Sequence, residues 1–189
     1  MIEIKNLHKK YNGITVVDDL SLSVNKGEVL GFLGPNGAGK STTMKMITGF
    51  IEPTSGEIKI KDYLVTNLSY EVKKYIGYLP EGAPMYGEMT TYDFLLFIAK
   101  IRGVEKNNIN NSIDSVISDL SLQDVIYKRI EHLSKGFKRR VGIAQAIIHD
   151  PEILIMDEPT DGLDPNQKYD VRELIKKISK DKTIIVSTH

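Results

Sequence analysis

The 189-residue chain lacks cysteine and tryptophan and carries no net charge, with 25 Lys and Arg set against 25 Asp and Glu. Without cysteine it has neither a disulfide framework nor a thiolate metal site, a composition suited to a reducing compartment. Balanced charge argues against a protein that grips nucleic acid through bulk electrostatics. Long apolar runs are missing too. The longest, Phe94 to Ala99, falls far short of the ~20 residues that span a bilayer. The N-terminal stretch MIEIKNLHKK holds no apolar segment of signal-peptide length. These absences predict a soluble, cytosolic chain. What is present, 41% hydrophobic and 26% charged residues, is the mixture of a folded globular protein rather than a disordered one. The length predicts one domain with room for an inserted subdomain.

Two patterns of apolar residues alternate along the chain. Ile2-Glu3-Ile4 and Leu20-Ser21-Leu22-Ser23-Val24 have period two, as half-buried antiparallel strands do. Val29 to Leu33 is a continuous apolar run, predicting a strand covered on both faces. Similar short runs recur at Ile76–Leu79, Ile153–Met156 and Thr183–Val186, separated by helical patterns. This predicts an α/β fold with a mostly parallel sheet and crossover helices. Between residues 82 and 149 the pattern changes. Phe94, Leu95, Ile98 and Ile101 share one helical face, and Ile109, Ile113, Val116, Ile117 and Leu120 repeat the spacing. Two amphipathic helices without an intervening strand predict a helical subdomain over 82–149, inserted into a core made of 1–81 and 150–189.

The first apolar run leads directly into Gly34-Pro35-Asn36-Gly37-Ala38-Gly39-Lys40-Ser41, and a helix follows from Thr42 until Gly49. Strand, glycine loop and helix in this order form a nucleotide-phosphate site. Glycines let backbone N–H groups converge on phosphate oxygens, and the helix start aims its positive dipole end at them. Lys40 supplies a charge to the β- and γ-phosphates, Ser41 supplies a hydroxyl ligand for Mg²⁺, and Thr42 belongs to the same site. A GTPase would add an Asn-Lys-x-Asp motif. The only Asn-Lys, in Asn25-Lys26-Gly27-Glu28, lacks the Asp and precedes the loop.

Ile153-Leu154-Ile155-Met156-Asp157-Glu158 reads as a buried strand ending in two acids, at the sheet end where ligands bind. Asp157 is placed to hold Mg²⁺, and Glu158 to take a proton from an attacking water. Upstream, Ser134 of Leu133-Ser134-Lys135-Gly136-Phe137 reads as the N-cap of a second helix, whose start offers another anion site. The basic cluster Lys135, Lys138, Arg139 and Arg140 reads as a solvated helix face, with a contribution to a partner's nucleotide site as the alternative. His8, His132 and His149 show no metal-ligand spacing.

Taken in order, these motifs resemble the ATP-binding subunit of an ATP-binding-cassette (ABC) transporter over nearly the whole chain. The resemblance makes Gly34 to Ser41 the Walker A loop, Leu133 to Phe137 the signature sequence and Ile153 to Glu158 the Walker B strand. Asp161-Gly162-Leu163-Asp164 matches the D-loop, and Ser187-Thr188-His189 ends on the switch histidine. By the same resemblance Tyr11 stacks on adenine, His189 senses the γ-phosphate and Asp164 makes a cross-dimer contact. It also implies a head-to-tail dimer with a second copy or a homologous subunit, in which Ser134 and Gly136 contact the ATP held by the opposite subunit. A further implication is a membrane permease subunit that carries the chain to the cytoplasmic face of the membrane. ATP and Mg²⁺ are the implied ligands, and no nucleic acid is expected.

Some positions depart from the family pattern. Lys135 replaces a Gly and Phe137 a Gln in the signature. Glu81, in Gly77-Tyr78-Leu79-Pro80-Glu81, stands where a Gln usually reaches the metal. The Leu-Pro-Glu form resembles exporters with separate ATPase and membrane subunits, of drug-efflux and gliding-motility type. Family members usually continue past the switch histidine by a strand and a helix, so the resemblance implies a C-terminally short cassette whose ATPase is impaired if His189 fails to reach the phosphate. Two other readings stay open: an ABC ATPase acting on ribosomes or DNA, and a cassette that binds ATP without efficient hydrolysis.

Overall fold

A computed structural model describes residues 1–65, 70–179 and 181–188. In chain order the strands are β1 (Ile2–Tyr11), β2 (Ile14–Val24), β3 (Val29–Leu33), β4 (Ser55–Ile60), β5 (Tyr63–Leu64), β6 (Ile76–Leu79), β7 (Ile153–Met156) and β8 (Thr183–Thr188). The helices are α1 (Lys40–Ile47), α2 (Tyr70–Lys74), α3 (Thr91–Ile101), α4 (Ile109–Asp119), α5 (Lys135–Ile147) and α6 (Pro165–Ile178). Two four-stranded sheets result. One is antiparallel, in the order β2-β1-β4-β5; the other is parallel, in the order β3-β8-β7-β6.

Strand alternation explains how the parallel sheet joins two cores. Ile153 and Ile155 of β7 face a core shared with Ile2, Ile4, Met44 and Ile58, from the antiparallel sheet and α1. Leu154 and Met156, the intervening residues, face a second core with Phe94, Ile113, Val141 and Ala144 of the helical segment. A sheet buried on both faces needs continuous apolar strands, and all four residues of both β6 and β7 are buried. The helices between β6 and β7 supply the second cover.

Two expectations fail at edges. β3 pairs only with β8 among the described residues. Leu30 and Phe32 pack inward, whereas Val29 and Leu33 are 63% and 75% exposed. A continuous apolar run does not reveal whether its strand is central or lateral, so the reading of β3 as covered on both faces is wrong. Ile101, the last residue of α3, lies past the rim of the helical core and is likewise exposed. No described helix is long and apolar enough to cross a membrane.

Candidate functional site

The loop between β3 and α1 forms one wall of a cavity of about 410 Å³. Its lining comprises residues 36–42 of the loop and helix start together with Val16, Glu81, Glu158 and Asp161. Gly39 fixes the geometry. Its φ of 85° is left-handed, and a Cβ there would lie 2.6 Å from the Val16 carbonyl oxygen. Only glycine fits both the backbone angle and this close approach to β2. Gly39 is also the N-cap of α1 and provides no side-chain cap, so the first N–H groups of the helix stay available to an anion.

Lys40 is buried, and its ammonium donates to the Gly34 carbonyl at 2.5 Å and the Pro35 carbonyl at 3.1 Å. It also lies 3.8 Å from Oε1 of the buried Glu158. The two loop carbonyls thus hold the cation where the phosphate loop and the acid that follows β7 converge. Glu158 has φ 48°, an unfavourable angle for a non-glycine residue. Its N–H donates to Ser187 Oγ at 2.8 Å, and the same hydroxyl donates to Asp157 Oδ1 at 2.6 Å. One serine of β8 therefore positions both acids.

Asp157 is fully buried, and its Oδ2 has no hydrogen-bond partner. An unpaired buried carboxylate oxygen is costly unless it serves a ligand. Ser41 and Glu81 line the cavity, and with Asp157 they offer oxygen donors, the type that Mg²⁺ takes. Among the described residues no three acids or histidines are gathered tightly enough to hold a metal alone. Tyr78, behind these acids, has its phenol pushed up to about 12 by burial, with the charges of Asp157 and Glu81 adding to it.

Other residues named from the sequence lie apart from this cavity. Gly34 and Pro35 act through the carbonyls that hold Lys40. Tyr11 is not in the lining; it is 44% exposed, with the Lys9 ammonium 4.9 Å from its ring centre. Ser134 caps α5, its Oγ accepting from the Phe137 N–H at 3.4 Å, and Gly136 is buried against Gln167. Asp164 caps α6 by accepting from the Gln167 N–H at 3.0 Å. His189 lies outside the described residues.

Sequence reasoning missed three participants. Asp161 reaches the cavity although only its motif was recognised. Ser187 organises both acids from a different strand, although it was named only as part of Ser187-Thr188-His189. Arg139 is 9% exposed, so its place in a basic run gave the wrong environment. Burial lowers its guanidinium pKa, while Asp161, Glu81, Asp157 and Glu158 act in the opposite direction.

The chain is 41% identical over 191 residues to the bacitracin transport ATP-binding protein BcrA of Bacillus licheniformis. It is 36% identical over 190 residues to the linearmycin resistance ATP-binding protein LnrL of Bacillus subtilis. All of the chain is covered in both cases, and it spans 61% of each relative's length. A dimeric post-hydrolysis structure of the ATP-binding cassette MJ0796, bound to ADP and Pi, superposes with a TM-score of 0.89 at 25% identity. That match covers all of this chain and 88% of that one. An ATP-binding subunit of an ABC transporter gives 0.87 at 32% identity, covering the whole chain and 79% of that structure. The family described as ABC transporter matches residues 17–161, and the chain belongs to the ABC transporter family of ATP-binding proteins.

Proposed function

We propose that the chain binds and hydrolyses ATP as the motor unit of an ABC exporter. The observation that carries this reading is the convergence of Lys40 and Glu158, 3.8 Å apart in one cavity with the uncapped start of α1. The loop N–H groups and Lys40 bind and orient the phosphates, and Lys40 balances the charge that gathers on the β–γ bridge. Glu158, held by Ser187, takes a proton from water as the water oxygen bonds to the γ-phosphorus and the bond to the bridging oxygen breaks. Ser41, Asp157 and Glu81 would hold Mg²⁺, which would supply positive charge to offset that of the phosphates.

The remaining roles extend beyond one copy. Ser134 and Gly136 lie outside the cavity of their own chain, which supports their use by the ATP of a second copy, with Asp164 at the same junction. Tyr11 stacks on adenine, and His189 contacts the γ-phosphate. The names of BcrA and LnrL, bacitracin transport and linearmycin resistance, support export. In this reading a membrane permease subunit receives the work and holds the chain at the cytoplasmic membrane face. Within the chain, residues 82–149 act as the helical unit and 1–81 with 150–189 as the nucleotide core. Steady-state hydrolysis tests the chemistry: Glu158→Gln is expected to lower turnover by ~10²–10⁴-fold while ATP binding persists. An unchanged rate would remove Glu158 from this role.

A further inference from the structure

Among the basic residues at the start of α5, Lys135 is exposed, whereas Arg139 is nine-tenths buried and its Nη1 has no hydrogen-bond partner. Its surroundings follow from helical spacing. Gly136 and Gly142 lie three residues to either side, on the same face of α5. A Cβ on Gly136 would stand 3.2 Å from Gln167 of α6, and one on Gly142 would stand 2.9 Å from Ala83 and 3.0 Å from Leu79. The two glycines bring this face of α5 against the start of α6 on one side and the loop after β6 on the other. Arg139 is confined between them, beside the segments that carry Asp161 and Glu81. Both acids line the phosphate cavity, as does Glu158. Among the described residues, that cavity has three carboxylates in its lining and Lys40 as the one cation there, although it is to receive a polyanion.

We propose that Arg139 is a positioning residue of the nucleotide site, a buried second cation that offsets Asp161 and Glu81 and makes the cavity tolerant of a triphosphate. It acts through these acids and touches no nucleotide. The proposal rests on the ATP-binding reading above, and it ties the helical segment to the phosphate loop by charge as well as by packing.

Two measurements test it. In the nucleotide-free chain, urea unfolding of Arg139→Gln, Asp161→Asn and the double variant forms a thermodynamic cycle. The double variant is expected to regain most of the midpoint lost by Arg139→Gln, because the uncompensated carboxylate is gone. In calorimetric titrations with ATP in EDTA, Arg139→Gln is expected to bind about tenfold more weakly than the unaltered chain. Excess Mg²⁺ should shrink that penalty and Asp161→Asn should reverse it. A purely structural role would give the same loss with and without metal and no rescue. That outcome, or metal-free binding unchanged in Arg139→Gln, overturns the proposal. Should Arg139→Gln fail to fold, Arg139→Lys decides: retained charge should keep metal-free affinity within about threefold, and a folded Lys variant weaker than that overturns it. If the unaltered chain binds no ATP even with Mg²⁺, the functional reading fails, and the unfolding cycle still decides whether Arg139 and Asp161 are a charge pair.

Discussion

Two helices of this protein begin with motifs that read alike as anion sites, and the structure builds them differently. α1 starts behind Gly39, which has no side chain to cap it and leaves the helix N–H groups facing a cavity. α5 starts behind Ser134, whose hydroxyl already accepts from the Phe137 N–H, with Gly136 packed on Gln167. The first end is open toward its own chain. The second is satisfied locally and stands exposed, outside that cavity. A helix start alone is therefore no evidence of a ligand site in the same chain; what distinguishes α1 is the missing cap, the left-handed glycine and a buried lysine tethered to two carbonyls.

The contrast can be broken most forcefully at Gly39. A methyl group there meets the Val16 carbonyl at 2.6 Å and must adopt φ 85°. Gly39→Ala is expected to cost about 2–4 kcal/mol of the binding-competent loop, read as roughly a hundredfold loss of ATP affinity in a folded chain. Normal affinity would show that the loop does not depend on this backbone angle.

A smaller effect is expected just beyond the other end of α5. His149 Nε2 lies 3.2 Å from the Ile76 carbonyl, which can only accept, so Nε2 carries the proton. Burial pushes the ring pKa down to about 4, and Arg102 and Lys182 add to the shift. Between about pH 6.5 and 4 the unfolded chain binds a proton that the folded chain refuses. Stability is then lost as pH falls through that window. Between pH 7 and 5 the loss should be about 1–2 kcal/mol in urea unfolding, and His149→Gln should remove it. An equal acid loss in that variant would assign the proton to another group.

The smallest effect belongs to Ser134. Ser134→Ala removes one capping bond, costing about 1 kcal/mol of stability, and should leave ATP binding by a single copy unchanged. A large fall in melting temperature would mean that this turn supports far more than one N–H.

What could be read from the sequence follows the same division. The phosphate loop was legible because its chemistry is local: glycines, Lys40 and Ser41 act at fixed spacing next to one strand. The cap Ser134 was legible for the same reason, and so were β6, β7 and the helix from Thr91, whereas Asp164 was named only by resemblance and not as the cap it forms. The exposed face of β3 was not legible, since edge or centre is decided by which strands come to lie beside it. Nor was Ser187, which reaches Asp157 and Glu158 from thirty and twenty-nine residues away. Arg139 is the clearest miss. Its burial comes from two flanking glycines and from what they pack against, and a run of basic residues gives no hint of either.

The most direct test of the account is a calorimetric ATP titration of three folded proteins: the unaltered chain, Lys40→Ala and Ser134→Ala. The account predicts binding in the first, a loss of at least about thirtyfold in the second, and affinity within about twofold of the first in the third. Equal losses in Lys40→Ala and Ser134→Ala, or full affinity in Lys40→Ala, would contradict it.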